Sequence, residues 1–174
     1  CLKAAEKAWK AANRHPNVYA YDNFVGSGPY DDTDLKDEFY WAAAELFTTT
    51  GKAEYKKAIQ NSPYYLTAPK GDKAGTGDLY WQGVSSAGTI TLAMVPNKLD
   101  KKDIEKARAA IIAAANGYQQ GVDKEGYLIP YQAVEYPWGS NSNLMNRSIF
   151  LGLAHDFTGE RKYLQAMSDA MDYV

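Results

Sequence analysis

The sequence predicts an all-α fold in which helical hairpins build part of an α/α toroid. Helices with broad apolar surfaces alternate along the chain with helices that are apolar on one face only. One turn recurs, because Thr50-Gly51-Lys52-Ala53-Glu54-Tyr55 matches Thr158-Gly159-Glu160-Arg161-Lys162-Tyr163. Long polar loops precede each helix that has a broad apolar surface. About three and a half hairpins are therefore expected, which corresponds to an open part of a ring.

The first hairpin elements are defined by apolar spacing and by capping residues. A helix is predicted over 1–14, and its apolar face consists of residues at helical spacing: Leu2, Ala5, Trp9 and Ala12. A long loop then leads to a second helix over 34–50, for which Thr33 or Asp34 is the expected N-cap and Gly51 the left-handed C-cap. A short helix follows at 52–59.

The next hairpin begins after a Gly-rich loop at 60–79. A helix over 80–94 is rich in small residues, which let a neighbouring helix approach closely: Ser85, Ser86, Ala87 and Gly88. Asp100 is the expected N-cap of a strongly amphipathic helix that reaches about Tyr118. After it, a loop at 120–138 is expected to contain a short extended piece from Tyr127 to Tyr131.

The last hairpin has the same two kinds of helix. The helix over 140–157 is apolar on most sides, whereas the helix over 160–174 is apolar through one stripe formed by Tyr163, Met167 and Ala170. Within the first of these helices, Asn146-Arg147-Ser148 matches a glycosylation sequon, but a helical position argues against modification.

A cluster of acids marks the junction between the first long loop and the second helix. Five carboxylates occur within eight residues: Asp31, Asp32, Asp34, Asp37 and Glu38. Their mutual repulsion can be relieved in two ways, by the unpaired N–H groups of a helix N-terminus or by a cation. Oxygen ligands at this density are typical of Ca²⁺ sites. Both readings stay open at this point, whereas catalysis by Asp31 and Asp32 without further partners is not favoured.

The composition argues against nucleic acid as a partner and against a membrane-spanning helix. A formal net charge of −2 gives no basic surface for nucleic acid, and no apolar run approaches the roughly 20 residues that span a bilayer. The chain has 14 tyrosines and 4 tryptophans, whose rings suit stacking on sugars as well as core packing. One cysteine excludes an internal disulfide. The first residue is not Met and lies within a predicted helix, which suggests a piece of something longer.

Four motifs then occur in a familiar order. They are Pro29-Tyr30-Asp31-Asp32-Thr33-Asp34-Leu35-Lys36-Asp37-Glu38, Tyr80-Trp81, Pro137-Trp138-Gly139-Ser140-Asn141-Ser142-Asn143 and Leu153-Ala154-His155-Asp156-Phe157-Thr158-Gly159. Together they resemble glycoside hydrolase family 9 cellulases, and the sequences of the motifs are most similar to the clostridial cellobiohydrolase-like branch. The resemblance covers residues 1–174 and implies part of an (α/α)₆ barrel that cleaves β-1,4-glucan with inversion.

The resemblance also implies what this segment does and does not contain. The family's catalytic base lies N-terminal to the matched region, and its catalytic acid lies C-terminal to it. The chain is therefore interpreted as a fragment of one catalytic domain, over residues 1–174, which carries neither catalytic carboxylate and is inactive alone. Its expected partners are the glucan or cello-oligosaccharide substrate and the other parts of the same domain. An extracellular location is implied, and a cellulosome is one setting that fits it.

Site residues are carried over from the family motifs by position. The residues implied in substrate binding are Tyr80, Trp81, Tyr136, Trp138, Asn141 and Asn143. Many family members have Arg-Tyr at the position of Ser142-Asn143, so this part of the site is expected to differ. The residues implied in holding structural Ca²⁺ are Thr33, Asp34 through its carbonyl, Asp37, Glu38 and Gln82, the last replacing a family Asp.

One other class of protein is compatible with helical hairpins. A non-catalytic helical-repeat module could bind carbohydrate or protein with the same architecture. Flanking sequence discriminates the two readings, since an enzyme requires the family's acidic motifs on both sides. Exo and endo action are not distinguished by the sequence.

Overall fold

The computed structural model describes residues 1–19, 32–69, 79–132, 135–136 and 139–174. In these ranges the chain forms seven α-helices and no β-strand, which confirms the all-α prediction. In chain order they are α1 (Leu2–Arg14), α2 (Lys36–Thr50), α3 (Ala53–Asn61), α4 (Ser85–Met94), α5 (Lys101–Val122), α6 (Ser140–Thr158) and α7 (Arg161–Tyr173). None of the described helices is both long and apolar enough to cross a membrane.

The helices are organised as three hairpins preceded by a single helix. Packing pairs α2 with α3, α4 with α5, and α6 with α7, while α2–α4 and α5–α6 contacts join consecutive hairpins. Helix α1 contacts α2 and has no buried residue of its own. The expected three and a half hairpins are therefore present.

Burial follows the predicted alternation of helix types. Helix α4 buries residues on most of its circumference, including Ser86, Gly88, Thr89 and Leu92. By contrast, α7 buries one stripe, formed by Tyr163, Ala166 and Ala170. We call α2, α4 and α6 the inner helices, because they bury residues on several sides, and α3, α5 and α7 the outer helices.

The recurring Thr-Gly turn has the same hydrogen bonds in both copies. Thr50 and Thr158 each donate their Oγ1 hydroxyl to the carbonyl four residues earlier, at 2.6 and 2.7 Å. Gly51 and Gly159 both adopt positive φ, at 66° and 73°, a conformation that glycine reaches without steric cost. The tyrosine four residues after each glycine is buried. The repeat is therefore one physical unit, in which a capped inner helix turns into an outer helix.

Two helix starts differ from the prediction. Helix α2 begins at Lys36 with Leu35 as N-cap, so neither Thr33 nor Asp34 occupies the N-cap position. The reason is that Asp34 lies outside the helix and its Oδ1 accepts the N–H of Lys36 at 3.0 Å, which satisfies the first helical donor. Helix α4 begins at Ser85 instead of residue 80, because the segment before it folds into a turn closed by a β-bridge between Tyr80 and Gly83.

Two predictions for α5 and the segment after it also need correction. Asp100 is the N-cap residue of α5, as predicted, but it makes no side-chain capping hydrogen bond, and the helix continues to Val122. The extended piece expected from Tyr127 to Tyr131 is absent from these described residues. Leu128 has a φ of 55° there, a left-handed conformation that a strand does not contain.

Gly88 allows the close approach of α4 to α2 and gives a direct test of their packing. A Cβ atom at Gly88 would lie 2.8 Å from the ring of Tyr40 and 3.2 Å from the Trp41 backbone. We predict that Gly88→Ala destabilises the full-length protein by about 1–3 kcal/mol, measured by denaturant unfolding, through overpacking. Gly121→Ala in α5 is the matched control, since a Cβ there meets nothing within 4 Å and an alanine favours the helix. Equal effects of the two substitutions would contradict this packing.

Candidate functional site

Three carboxylates converge where the chain enters α2. One oxygen from each of Asp32, Asp37 and Glu38 lies within 4.8 Å of the others. Asp37 is only 4% exposed, and Asp32 and Glu38 are partly buried. Each of the three has a buried oxygen that no donor among the described residues reaches: Asp32 Oδ2, Asp37 Oδ1 and Glu38 Oε2. Three such oxygens at this spacing form an acidic group that can hold a metal ion.

The pKa of Glu38 shows that it is unfavourable to bury several carboxylates close together. Burial, followed by hydrogen bonding to Asp37, raises the pKa of Glu38 to about 8. A cation between the three oxygens would supply the missing positive charge and the missing partners, so the residues present fit a divalent metal. We refer to Asp32, Asp37 and Glu38 as the acidic group.

The predicted metal ligands lie around the acidic group. Thr33, Asp34 and Gln82 line a cavity of about 220 Å³ together with Asp32 and Asp37. Thr33, Asp34, Asp37 and Gln82 are thus brought to one place, and Glu38 joins them through the acidic group.

The side chain of Asp34 is already engaged within the protein. Its Oδ1 accepts from Lys36 N–H and its Oδ2 accepts from the Tyr64 hydroxyl at 2.7 Å. Although partial burial acts to raise it, these two hydrogen bonds lower the pKa of Asp34. The bond to Asp34, followed by burial, raises the pKa of Tyr64 to about 12. A contribution of Asp34 to a metal site would therefore come from its backbone carbonyl, as the family resemblance implies.

Asp32 is a member of the acidic group that sequence reasoning missed. It was counted in the acidic cluster of the sequence, beside Asp31, which lies outside the described residues, but it was not named among the metal ligands. In the structure its Oδ1 accepts the N–H groups of Thr33 and Asp34, at 2.6 and 3.0 Å, and this turn directs the chain toward α2. The available signal was its position two residues before Asp34, where an Asp side chain can accept the backbone N–H two residues later in an Asx turn.

The first predicted aromatic pair lies on the turn before α4. Tyr80 and Gly83 exchange two backbone hydrogen bonds, at 3.0 and 3.1 Å, which places Trp81 at the tip of the turn with 54% of its surface exposed. Tyr80 is partly buried and donates its hydroxyl to Gln82 Oε1 at 3.0 Å. The Trp81 side chain is thus largely exposed, whereas the Tyr80 side chain lines the cavity beside the acidic group.

The acidic group also holds this turn in place. Asp37 Oδ2 accepts the N–H of Val84 at 2.8 Å, which ties the last residue before α4 to the first turn of α2. Trp81 is therefore connected to the acidic group through one short segment of backbone.

The second predicted aromatic cluster lies before α6. Tyr136 is 40% exposed and packs edge-on against the buried ring of Tyr131, with ring centroids 4.9 Å apart. Asn141 is exposed and Asn143 is partly buried, both in the first turns of α6. Trp138, the tryptophan with the strongest family correspondence, lies outside the described residues.

Asn146 and Arg147 are functional candidates that the sequence did not reveal. Asn146 donates from Nδ2 to the carbonyl of Leu79 at 2.6 Å, so this amide is engaged inside the fold. Arg147 is 2% exposed and forms an ion pair with Glu135, with Nη1 and Oε2 2.8 Å apart. No sequence signal linked these positions beyond a sequon match.

A comparison with known families identifies the class of protein that this fold and site belong to. The model for glycosyl hydrolase family 9 matches residues 1–174, so the chain belongs to this family. The family fold is an (α/α)₆ barrel, and the predicted fold class is thereby confirmed. A family of cellulases does not favour the alternative of a non-catalytic helical-repeat module.

Individual relatives agree with the family assignment. The chain is 45% identical over 193 residues to a cellulose 1,4-beta-cellobiosidase from Acetivibrio thermocellus, covering 100% of this chain and 22% of the relative. It is 34% identical to endoglucanase C from Cellulomonas fimi, covering 99% of this chain and 16% of that protein. The first of these agrees with the resemblance to the clostridial cellobiohydrolase-like branch.

Solved structures show the same relationship in three dimensions. The crystal structure of the GH family 9 endoglucanase J30 superimposes with a TM-score of 0.85 at 27% identity, covering 98% of this chain and 31% of that one. The chain thus spans about a fifth of the length of the two relatives named above and about a third of this solved chain.

The raised pKa of Glu38 gives a pH-dependent prediction for the metal-depleted protein. Because the folded state holds the Glu38 proton more tightly than the unfolded state, its stabilising contribution is complete below pH 4.5 and is lost as the pH rises through about 8. We predict that, in chelator, the thermal midpoint of Glu38→Gln falls less between pH 5 and pH 8 than that of the wild type.

Glu105→Gln is the matched control, since Glu105 is an exposed carboxylate that pairs only with Lys101 among the described ion pairs. It should retain the wild-type pH dependence. The explanation fails if Glu38→Gln and Glu105→Gln give parallel pH profiles.

Proposed function

We propose that the chain is a segment of a cellulase catalytic domain that binds β-1,4-glucan for hydrolysis with inversion. The observation that carries the proposal is the pair of exposed rings, Trp81 and Tyr136, each placed just before an inner helix. Indole and phenol rings offer flat apolar faces with a polar edge, which suits the faces of pyranose rings. Membership of a family whose named relatives act on cellulose and related glucans supports this substrate class.

The described chain would contribute binding and orientation. Stacking on Trp81 and Tyr136 would hold glucose units, and Asn141 and Asn143 offer amide groups that can hydrogen-bond sugar hydroxyls. Inverting hydrolysis needs a general acid and a water-activating base, with carboxyl groups roughly 6.5–9.5 Å apart. The family resemblance assigns both carboxylates to parts of the domain outside this chain, so none of the residues described here is proposed as catalytic.

We propose Ca²⁺ as the cation of the acidic group. Its ligands would be drawn from Asp32, Asp37 and Glu38, with Thr33, the Asp34 carbonyl and Gln82 from the same cavity. All of these are hard oxygen donors, which Ca²⁺ prefers in sets of six to eight. The ion would neutralise the acidic group, and Asp37 would then keep its hydrogen bond to Val84 and hold the turn that bears Trp81.

The proposed partners and location follow from the polymer. The substrate is a β-1,4-glucan or cello-oligosaccharide, and the other parts of the same domain would complete the ring. A polymer too large to enter a cell has to be cut outside it, so the protein is proposed to act extracellularly. A cellulosome is one such setting.

Product stereochemistry tests the proposed reaction. The full-length protein, incubated with cellohexaose, should release products whose new reducing end is first the α-anomer, because a single displacement inverts the β-bond. Proton NMR within the first minutes, before mutarotation, distinguishes the anomers. Initial release of the β-anomer, or no hydrolysis of cello-oligosaccharides, would overturn the proposal.

Removal of calcium tests the proposed metal site separately. We predict that saturating Ca²⁺ raises the thermal midpoint of the chelator-treated full-length protein by about 3–8 °C, as expected for a ligand well above its dissociation constant. Asp37→Asn keeps an acceptor for Val84 but removes a charge, and should abolish most of this shift. Glu105→Gln should retain it. A wild-type midpoint that does not respond to Ca²⁺ would remove the metal from the proposal.

A further inference from the structure

Two consecutive side chains of α6 hold the two segments that bear the exposed aromatic rings. Asn146 donates to the carbonyl of Leu79, two residues before Trp81. Arg147 donates to the carbonyl of Pro130 at 2.9 Å, at the start of the segment that ends in Tyr136. The two segments are far apart in sequence, and one dipeptide of one inner helix contacts both.

Arg147 makes several hydrogen bonds to the residues before Tyr136. Nη1 bonds Glu135 Oε2 at 2.8 Å and Nη2 lies 3.5 Å from Glu135 Oε1, so the guanidinium and the carboxylate meet as a fork. Glu135 Oε2 also accepts the N–H of Gln132 at 2.8 Å. The pair therefore joins Pro130, Gln132 and Glu135 to one another and to α6.

The Arg147 guanidinium also packs against two aromatic rings. Its carbon lies 4.3 Å from the ring centroid of Tyr131 and 5.2 Å from that of Tyr118. Tyr131 in turn packs edge-on against Tyr136. The ring of Tyr136 is thus connected to Arg147 twice, through the peptide bond to Glu135 and through the ring of Tyr131.

Directional contacts of this kind favour a positioning role over simple stabilisation. A buried ion pair is weak evidence for stability, because well-packed apolar residues of similar size often replace one without loss. The fork and the stacked ring nevertheless fix an orientation that apolar packing does not specify.

We propose that Asn146 and Arg147 are positioning residues that set the separation and orientation of Trp81 and Tyr136, and thereby the fit of consecutive glucose units. The inference rests on the proposed function, since it concerns the residues that position Trp81 and Tyr136 for glucan binding. Asn146 controls the Trp81 side of the face, and the Arg147–Glu135 pair controls the Tyr136 side.

Double-mutant cycles in the full-length protein test this assignment. Glu135→Gln keeps the shape of the side chain but weakens the fork, and it should raise KM for cellohexaose about threefold to tenfold with kcat within about twofold, as loss of a stacked ring would. Tyr136→Ala should have a similar effect, and the double variant should be no worse than Tyr136→Ala alone. Combined with Trp81→Ala, the effect of Glu135→Gln should instead be additive.

Asn146→Ala gives the reciprocal cycle. Its effect on KM should be non-additive with Trp81→Ala and additive with Tyr136→Ala. Ile111→Val, a buried substitution in α5, is the control for general destabilisation and should lower the thermal midpoint without changing KM. Additivity in all four cycles would overturn the positioning role while leaving the glucan site intact.

Hydrogen exchange tests the inference without reference to catalysis. Amides of residues 131, 132, 135 and 136 should exchange faster in Glu135→Gln, while amides of α4 should not. Ile111→Val lowers global stability and should not reproduce this local difference. Unchanged exchange in Glu135→Gln would overturn the inference even if the enzyme hydrolyses glucan. A normal KM for both Trp81→Ala and Tyr136→Ala would instead overturn the proposed binding face, and the inference with it.

Discussion

The crowding of Asp32, Asp37 and Glu38 is the constraint on which the candidate site depends. Carboxylates this close and this buried repel one another strongly unless a cation or a proton intervenes. Their positions are nevertheless fixed by backbone hydrogen bonds, of which the bond from Val84 to Asp37 reaches the neighbouring hairpin. The charge balance at the start of α2 thus determines how firmly the turn that bears Trp81 is held before α4.

Hairpin architecture explains why residues far apart in sequence share one face. Each inner helix is preceded by a loop, and at its other end the chain returns along an outer helix, through a Thr-Gly turn after α2 and α6 and through an extended residue, Val95, after α4. The N-terminal ends of α2 and α4 therefore present the acidic group and Trp81 close together, and α6 adds Tyr136. Asn146 and Arg147 contact both loops from α6, so the proposed binding face is held by a helix and not by the loops alone.

The sequence predicted those features that depend on neighbouring residues. The Thr-Gly turns and the alternation of helix types follow from local chemistry, and both are confirmed. The predicted start of α4 at residue 80 was wrong. The hydrogen bond from Val84 to Asp37 and the bridge between Tyr80 and Gly83 outweigh the helical tendency of residues 80–84. Asp32 was not named as a ligand because the sequence, although it places Asp32 beside Asp34, does not show which carboxylate oxygens are buried without a donor. Arg147 was missed because an ion pair across twelve positions has no signature in a single sequence.

A crystal structure of the full-length protein with Ca²⁺ and a non-hydrolysed cello-oligosaccharide tests the central claim most directly. The account predicts a metal within about 2.3–2.6 Å of oxygens from the acidic group. It also predicts pyranose rings stacked on Trp81 and Tyr136 at the N-terminal ends of the inner helices. Sugar bound at the opposite ends of these helices, beside the Thr-Gly turns, would contradict it, as would sugar that leaves both rings uncovered.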